Sequence, residues 1–217
     1  MPYPVVCGGG PNHLRVHWGS QTFYSPVVYP ATMGVIGTVG LPGSGKGEFA
    51  TVAEELGIPV VVMGDVVRAE TDARGLDPAE DHGTVASQLR EEDGPDAIAA
   101  RTLPRIREHL TDPDTDTVVV DGIRSAAEVE RFEAAFGEAF RLVSIEAPFD
   151  VRAERLGARG RDATDIDIDA LRRRDERERG FGMDAAMARA DVTIQNTESL
   201  EAFRDRVTDL LREAADP

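Results

Sequence analysis

The residues best suited to chemistry lie at positions 40–47, which read Gly40-Leu41-Pro42-Gly43-Ser44-Gly45-Lys46-Gly47. Lys46 is the only lysine among the 24 basic residues of the chain. The spacing GxxxxGK, between an apolar run and a helical pattern, is that of a phosphate-binding loop, in which backbone N–H groups and one flexible ammonium surround a phosphate chain. The planar fork of an arginine fits such a loop poorly. The alternative interpretation is a glycine-rich turn with a solvated lysine.

Two further segments place an aspartate and an arginine just after an apolar run. Asp121 follows the first of these runs, and Arg124 comes three residues later. An acid at the carboxyl end of a strand can hold Mg²⁺ through water and the arginine can bind an acceptor phosphate, so the sequence predicts both roles here. Asp65 and Arg68 follow the other run. Helix capping and a surface arginine explain that second pair as well as a functional role does.

Arginines are concentrated between positions 151 and 180. They are Arg152, Arg155, Arg159, Arg161, Arg172, Arg173, Arg174, Arg177 and Arg179. Acidic neighbours make a charged helix face the better interpretation of any single one of them. As a group they suit a lid over residues 157–180 that covers the transferring phosphates, because phosphoryl transfer needs positioning, Mg²⁺ and positive charge more than covalent help from the protein.

Short β-branched runs alternate with longer helical patterns from Met33 onward. The predicted strands are 33–39, 58–63, 117–121, 140–146 and 191–195. This alternation predicts one three-layer α/β domain over residues 33–214, with a parallel sheet of about five strands and helices on both faces. The polar interval 65–116 has room for about three helices and is predicted to form an acceptor-binding insertion. Residues 1–32 show no sustained periodicity, so we expect a disordered extension there.

The chain carries 40 acidic and 24 basic residues, for a net charge of -16. This field disfavours nucleic acid and anionic membranes as partners. An acidic composition with a single lysine favours a protein that works in a very salty cytoplasm, where a Debye length of about 3 Å at 1 M weakens the repulsion between carboxylates. Genomic base composition is the alternative reason for the arginine bias. The single Cys7 fits a reducing compartment. No run reaches the ~18 apolar residues of a membrane span, so we expect a cytoplasmic protein.

The order of these motifs resembles that of the adenylate kinase and nucleoside monophosphate kinase group. It runs GxPGSGKG, GDxxR, DGxR, and then an arginine pair, Arg155 and Arg159, at the start of the lid. The end of the last strand, with Asn196, is instead similar to dephospho-coenzyme A kinases. Nearly everything after residue 32 resembles an archaeal family of P-loop kinase-like proteins, including the Gly-Ser-Gly-Lys-Gly-Glu-Phe loop and the segment 174–178.

This resemblance implies an ATP- and Mg²⁺-dependent site. Residues 40–47 would bind ATP, with Asp121 and Asp65 near the metal. Arg68 and Arg124 would bind the acceptor phosphate, and Arg155, Arg159 and Arg177 would lie around the donor. The residues expected to act in catalysis are Lys46, Arg124, Arg155 and Arg159.

Two departures from the kinase pattern affect the expected function. Gly47 replaces the Ser or Thr that ligates magnesium in most phosphate loops, and Glu48 stands where adenylate kinases have a threonine. We expect a phosphotransferase that uses ATP and a small phosphorylated or nucleotide-like acceptor. The missing hydroxyls keep a second hypothesis open, a nucleotide-binding regulator or slow ATPase. A kinase acting on polynucleotide ends is a third hypothesis, which the acidic charge disfavours.

Overall fold

A computed structural model of the chain describes residues 34–159 and 168–215 and the backbone of three earlier strands. The residues divide into two units, 1–31 and 32–217. In the first unit β1 (Val5–Gly8), β2 (His13–Trp18) and β3 (Gln21–Pro26) form an antiparallel sheet in the order β1-β2-β3. These strands lie within residues 1–32, for which the sequence predicted a disordered extension. Apolar and polar residues alternate within β2, and its last residue, Trp18, pairs with Gln21 of β3.

The second unit contains five strands and nine α-helices among its described residues. In chain order they are β4 (Gly34–Val39), α1 (Lys46–Glu55), β5 (Val60–Val62), α2 (Met63–Ala73), α3 (Pro78–Asp93), α4 (Ala97–Leu110), β6 (Thr117–Asp121), α5 (Ala126–Phe136), β7 (Phe140–Glu146), α6 (Phe149–Arg159), α7 (Ile168–Gly180), α8 (Met183–Met187), β8 (Val192–Gln195) and α9 (Leu200–Ala215). The strands form one parallel sheet in the order β5-β6-β4-β7-β8. The predicted α/β class and its five strands are therefore confirmed.

Strands β4, β5 and β6 are nearly continuous apolar runs because helices cover this part of the sheet. Phe49 of α1 and Phe203 of α9 pack with Ile36 and Val143 of the sheet in one buried cluster. Each of these side chains is at most 2% exposed, and burial of a side chain of this size stabilises the fold by about 1.5–3 kcal/mol. This packing fixes α1 against the sheet, and with it the loop between β4 and α1. None of the described helices is long and apolar enough to cross a membrane.

Three helices, α2, α3 and α4, occupy the interval 65–116. Asp77 begins α3 by accepting a hydrogen bond from the N–H of Ala79, and Gly94 ends it with φ +99°. The predicted lid, 157–180, includes residues 160–167, which lie outside the described residues, and α7 follows them. Along the chain, α2 therefore follows strand β5 directly, and α7 is the next described helix after α6.

Strand register brings the predicted site elements to one edge of the sheet. Thr38 near the end of β4 and Val62 at the end of β5 are both paired with Asp121, the last residue of β6. Since parallel strands share one carboxyl edge, the loop after β4, the start of α2 and the segment after β6 all begin there.

Candidate functional site

The loop at residues 40–47 has the backbone of a phosphate nest. Gly40, Gly43 and Gly45 have positive φ angles of 154°, 80° and 121°, and α1 begins at Lys46 directly after them. A β-carbon at Gly45 would also collide with the side-chain amide of Asn196. The glycines are therefore required both by conformation and by close packing. The first N–H groups of α1 carry the positive end of the helix dipole, which favours a bound anion.

Lys46 is held by the loop that it belongs to. Its Nζ donates hydrogen bonds to the carbonyl oxygens of Gly40, at 2.6 Å, and Leu41, at 3.4 Å. Burial lowers the pKa of Lys46, and the nearby Asp121 carboxylate opposes part of that effect. The ammonium is thus short of negative charge in the free protein. A phosphate chain would supply that charge.

Asn196 holds the outer side of the loop. Its Nδ2 donates to the carbonyl of Ser44 at 2.8 Å, and its Oδ1 accepts from Arg155 Nη2 at 3.0 Å. Asn196 is 5% exposed, so water competes little for these bonds. The structure therefore places Arg155, a predicted catalytic residue, against Asn196. The side chain of Arg159, predicted for the same role, lies outside the described residues.

Asp121 lies at the carboxyl end of β6 beside the loop. Thr38 Oγ1 donates a hydrogen bond to its Oδ1 at 2.8 Å, which orients the carboxylate. One oriented carboxylate, with phosphate oxygens and water, is a donor set that suits Mg²⁺. Among the described residues there is no group of three or more His, Cys, Asp or Glu side chains suited to a metal. Sequence reasoning missed Thr38, a polar residue inside an apolar strand and fully buried.

Asp65 and Arg68 form an ion pair with each other on the first turns of α2. Their side chains are 45% and 51% exposed, respectively. Arg68 lines the cleft described below, whereas Asp65 is not among its lining residues in the described part of the chain. The structure thus brings Asp121 and Arg68 into one site and leaves Asp65 as the partner of Arg68.

Arg124 is held by two buried carboxylates. Its Nη1 donates to Glu178 of α7 at 2.7 Å, and its backbone N–H donates to Glu128 of α5 at 2.8 Å. Glu128 also accepts from Arg90 of α3 at 3.0 Å and is fully buried. These bonds tie the segment after β6 to α3, α5 and α7. Sequence reasoning missed Glu128 and the pairing of Glu178 with Arg124, since acids on charged helices give no periodic signal of burial.

A cleft with a volume of about 930 Å³ joins these groups. The charged side chains that line it are Lys46, Arg68, Glu80, Arg90, Asp121, Arg124, Glu128, Arg174, Arg177 and Glu178. Basic groups outnumber acidic ones in this set, in a chain whose net charge is -16. Arg177, expected near the donor, is among them, and so is Arg174, which had no assigned role. The volume is of the size that holds a small-molecule ligand.

Glu48, which replaces a threonine of the kinase pattern, has a structural role. Its carboxylate bonds Arg204 of α9, which also bonds Glu55 at the other end of α1. Glu48 therefore helps to join α1 to α9. Gly47 has no atom within 4 Å of the position that a β-carbon would take. The loop thus has space for a hydroxyl at that position.

Comparison with known proteins agrees with this geometry. A family described as an AAA domain matches residues 39–172. A UPF0200 protein of Halobacterium salinarum is 58% identical over 179 residues, which are 82% of this chain and 93% of that protein. A gluconokinase from Sinorhizobium meliloti 1021 shares the fold at 18% identity and a TM-score of 0.51, over 87% of this chain and 95% of that one.

A shikimate kinase from Acinetobacter baumannii also shares the fold, at 17% identity and a TM-score of 0.50, over 84% of this chain and 93% of that one. The phosphate loop and the family match together identify a nucleotide-binding domain. The family match and the relatives also confirm the predicted resemblance to an archaeal family of P-loop kinase-like proteins. The chain belongs to the archaeal UPF0200 family of P-loop kinase-like proteins.

Proposed function

We propose that this protein transfers the γ-phosphoryl group of ATP to a small phosphorylated or nucleotide-like acceptor. One observation carries the proposal. The cleft that contains Lys46 and Asp121 is continuous with a second wall that contains Arg68 and Arg124. A protein that only binds a nucleotide needs the first set of residues. A kinase also needs the second set, within the same cavity.

The first wall suits the donor. Lys46 and the loop N–H groups would hold the β and γ phosphates, where their charge stabilises oxygens that become more negative in the transition state. Magnesium, held through Asp121, would neutralise the same phosphates when bound. Arg174 and Arg177 line this cleft without an ion pair in the described part of the chain. They can therefore bind phosphate oxygens without first losing a carboxylate partner.

The second wall suits an anionic acceptor. Arg68, Arg90 and Arg124 project from α2, α3 and the segment after β6 into one cavity. Phe181 and Met183 line the same cavity and supply apolar area for the rest of the ligand. Held between both walls, the acceptor oxygen would lie close to the γ phosphate. Such positioning accounts for much of the catalysis in phosphoryl transfer.

The experiment is a transfer assay with labelled ATP and a panel of nucleoside monophosphates and dephospho-coenzyme A. It would run in multimolar KCl, chosen because of the charge of -16. We expect a new labelled product with one acceptor class, lost in Lys46→Ala and retained in Arg189→Ala, which changes an exposed arginine outside the cleft. Release of labelled phosphate with no labelled acceptor product would contradict the proposal.

The second candidate function is a nucleotide-binding regulator or slow ATPase. Two observations favour it: Gly47 brings no hydroxyl to the metal, and Glu178 already holds Arg124. Nucleotide binding would then change the partner of Arg124 rather than lead to transfer. The same assay separates the two, because a regulator releases phosphate at a rate that no acceptor increases.

A further inference from the structure

Arg152 on α6 joins three parts of the donor site. Its Nε donates to the carbonyl of Ala147 at 3.2 Å, and its Nη1 donates to the carbonyl of Pro42, in the phosphate loop, at 3.0 Å. Both terminal nitrogens also donate to Asp175 of α7, at 2.8 and 2.6 Å. Arg152 is 2% exposed and Asp175 is 4% exposed. Four of the five N–H groups of this buried guanidinium therefore donate to protein partners, so its role is to hold other parts of the protein rather than to bind a ligand.

The bond to Pro42 sets the direction of a loop amide. In a planar trans peptide the carbonyl of one residue and the N–H of the next point in opposite directions. Holding the Pro42 carbonyl towards α6 therefore turns the N–H of Gly43 away from α6. A β-carbon at Gly43 would lie 3.1 Å from the Arg152 carbonyl, so the loop and α6 are also packed closely here.

The bond to Asp175 sets the position of α7. This helix lines the cleft with Arg174, Arg177 and Glu178. Asp175 lies among them in the sequence, but its side chain is buried against Arg152. An ion pair with side chains only 3% and 6% exposed is little screened by salt. The Arg152–Asp175 pair can therefore hold α7 in place in the salty solvent that the acidic composition favours, where exposed ion pairs weaken.

We propose that Arg152 is a positioning residue that couples the phosphate loop to α7, an inference that rests on the proposed function. A phosphate chain bound by the loop favours one orientation of the Pro42–Gly43 peptide. That orientation favours the Arg152 geometry that binds Asp175, which holds Arg174 and Arg177 at the cleft. Because such coupling is reciprocal, placing α7 also strengthens nucleotide binding.

A purely structural ion pair is the competing explanation. It predicts that replacement of both partners by apolar residues leaves binding unchanged, since buried ion pairs often exchange for apolar pairs without loss of stability. The double variant Arg152→Met/Asp175→Leu makes that exchange and removes the bond to Pro42. Asp175→Asn keeps the size of the side chain and weakens only the link to α7. Arg189→Met, which removes exposed pairs with Glu130 and Glu133, is the matched control.

The test measures hydrogen exchange of α7 and of the loop, with and without a non-hydrolysable ATP analogue, and the affinity by calorimetry. In the wild type and the control, the analogue should slow exchange in both segments. In the double variant we expect slowed exchange in the loop alone and about tenfold weaker binding, the effect of one charge-assisted hydrogen bond. Asp175→Asn should lose the protection of α7 with a smaller change in affinity.

Different outcomes overturn different claims. A double variant that is folded, binds the analogue as the wild type does and retains nucleotide-dependent protection of α7 would overturn the coupling. So would a wild type that binds the analogue without any change in α7. A wild type that gives no heat with the analogue would overturn the proposed function itself, and this inference with it.

Discussion

The two walls of the cleft are held in different ways. On the side proposed for the phosphate donor, the carbonyls of Pro42 and Ser44 are bound by Arg152 and Asn196, two side chains at most 5% exposed. On the side proposed for the acceptor, Arg68 pairs with Asp65, and both side chains are about half exposed, at 51% and 45%. Buried polar groups that are fully bonded hold one geometry, because losing any one bond leaves a group unpaired.

Exposed ion pairs behave otherwise. Such a pair contributes roughly 0–1 kcal/mol to stability and is screened by salt. A ligand phosphate can therefore replace the carboxylate of Asp65 at little cost. The proposed donor side is built to present fixed amides to one kind of anion, whereas Arg68 on the proposed acceptor side can exchange its partner. Variants on the first side should therefore lose ATP affinity and stability, whereas an Arg68 variant should change only the KM of the acceptor.

The largest expected effect is that of Lys46→Ala. Removal of the one cation held inside the loop should weaken binding of ATP and slow transfer together, on the order of 100-fold or more, as for other preorganised charges at a transition state. Lys46→Arg should lose most activity as well, because the planar group does not fit the loop. Calorimetry and the transfer assay measure both. Full turnover in Lys46→Ala would contradict the role of the loop.

A smaller effect is expected from Asn196→Ala, compared with Arg68→Ala. Loss of the Asn196 bonds frees the Ser44 carbonyl and leaves Arg155 without that partner, so ATP affinity should fall about tenfold and thermal stability should also fall. Arg68→Ala should leave ATP affinity and stability nearly unchanged and raise only the KM of the acceptor. Equal effects of both variants on ATP affinity would remove the distinction between the walls.

The pH dependence of nucleotide binding should follow the pKa of Lys46. Burial lowers this pKa below 10.5 in the free protein, and bound phosphates should raise it again. Around and above the lowered pKa, binding therefore takes up a proton, and affinity should fall several-fold as pH rises through that pKa. Calorimetry in buffers of different ionisation enthalpy measures that uptake. Lys46→Ala should show none of it.

The same shift affects the stability of the free protein. Between the lowered pKa and 10.5 the unfolded chain binds more protons at Lys46 than the folded chain does. The contribution of this residue to the free energy of unfolding should therefore rise with pH through that window. A difference between wild type and Lys46→Ala that does not change with pH would show that burial does not disfavour the ammonium.

The smallest expected effect is that of Gly47→Ser. No atom lies within 4 Å of the new β-carbon, so the melting temperature should stay within a few degrees of the wild type. The added hydroxyl should lower the Mg²⁺ concentration needed for half-maximal ATP binding by a few-fold, because most phosphate loops ligate the metal there. Gly47→Ala is the matched control. An identical Mg²⁺ dependence in both variants would place the metal away from residue 47.

Sequence reasoning located the loop and the five strands because both depend on local chemistry. Glycine spacing, a single lysine and apolar runs are visible without knowledge of the fold. It did not locate Thr38, Glu128 or Arg152, whose roles depend on partners far along the chain. Arg152 was one of many arginines in a charged stretch, and a lone arginine there was better interpreted as a surface residue.

The sequence by itself determined the nucleotide end of the site, since a phosphate loop is one contiguous segment between a strand and a helix. The tertiary structure decided which charges face the cleft and which are buried behind the loop. Arg155 contacts Asn196, 41 positions away, and Arg152 contacts Pro42, 110 positions away. These contacts arise because α6 and the residue after β8 lie beside the loop in the fold, and no local pattern specifies them.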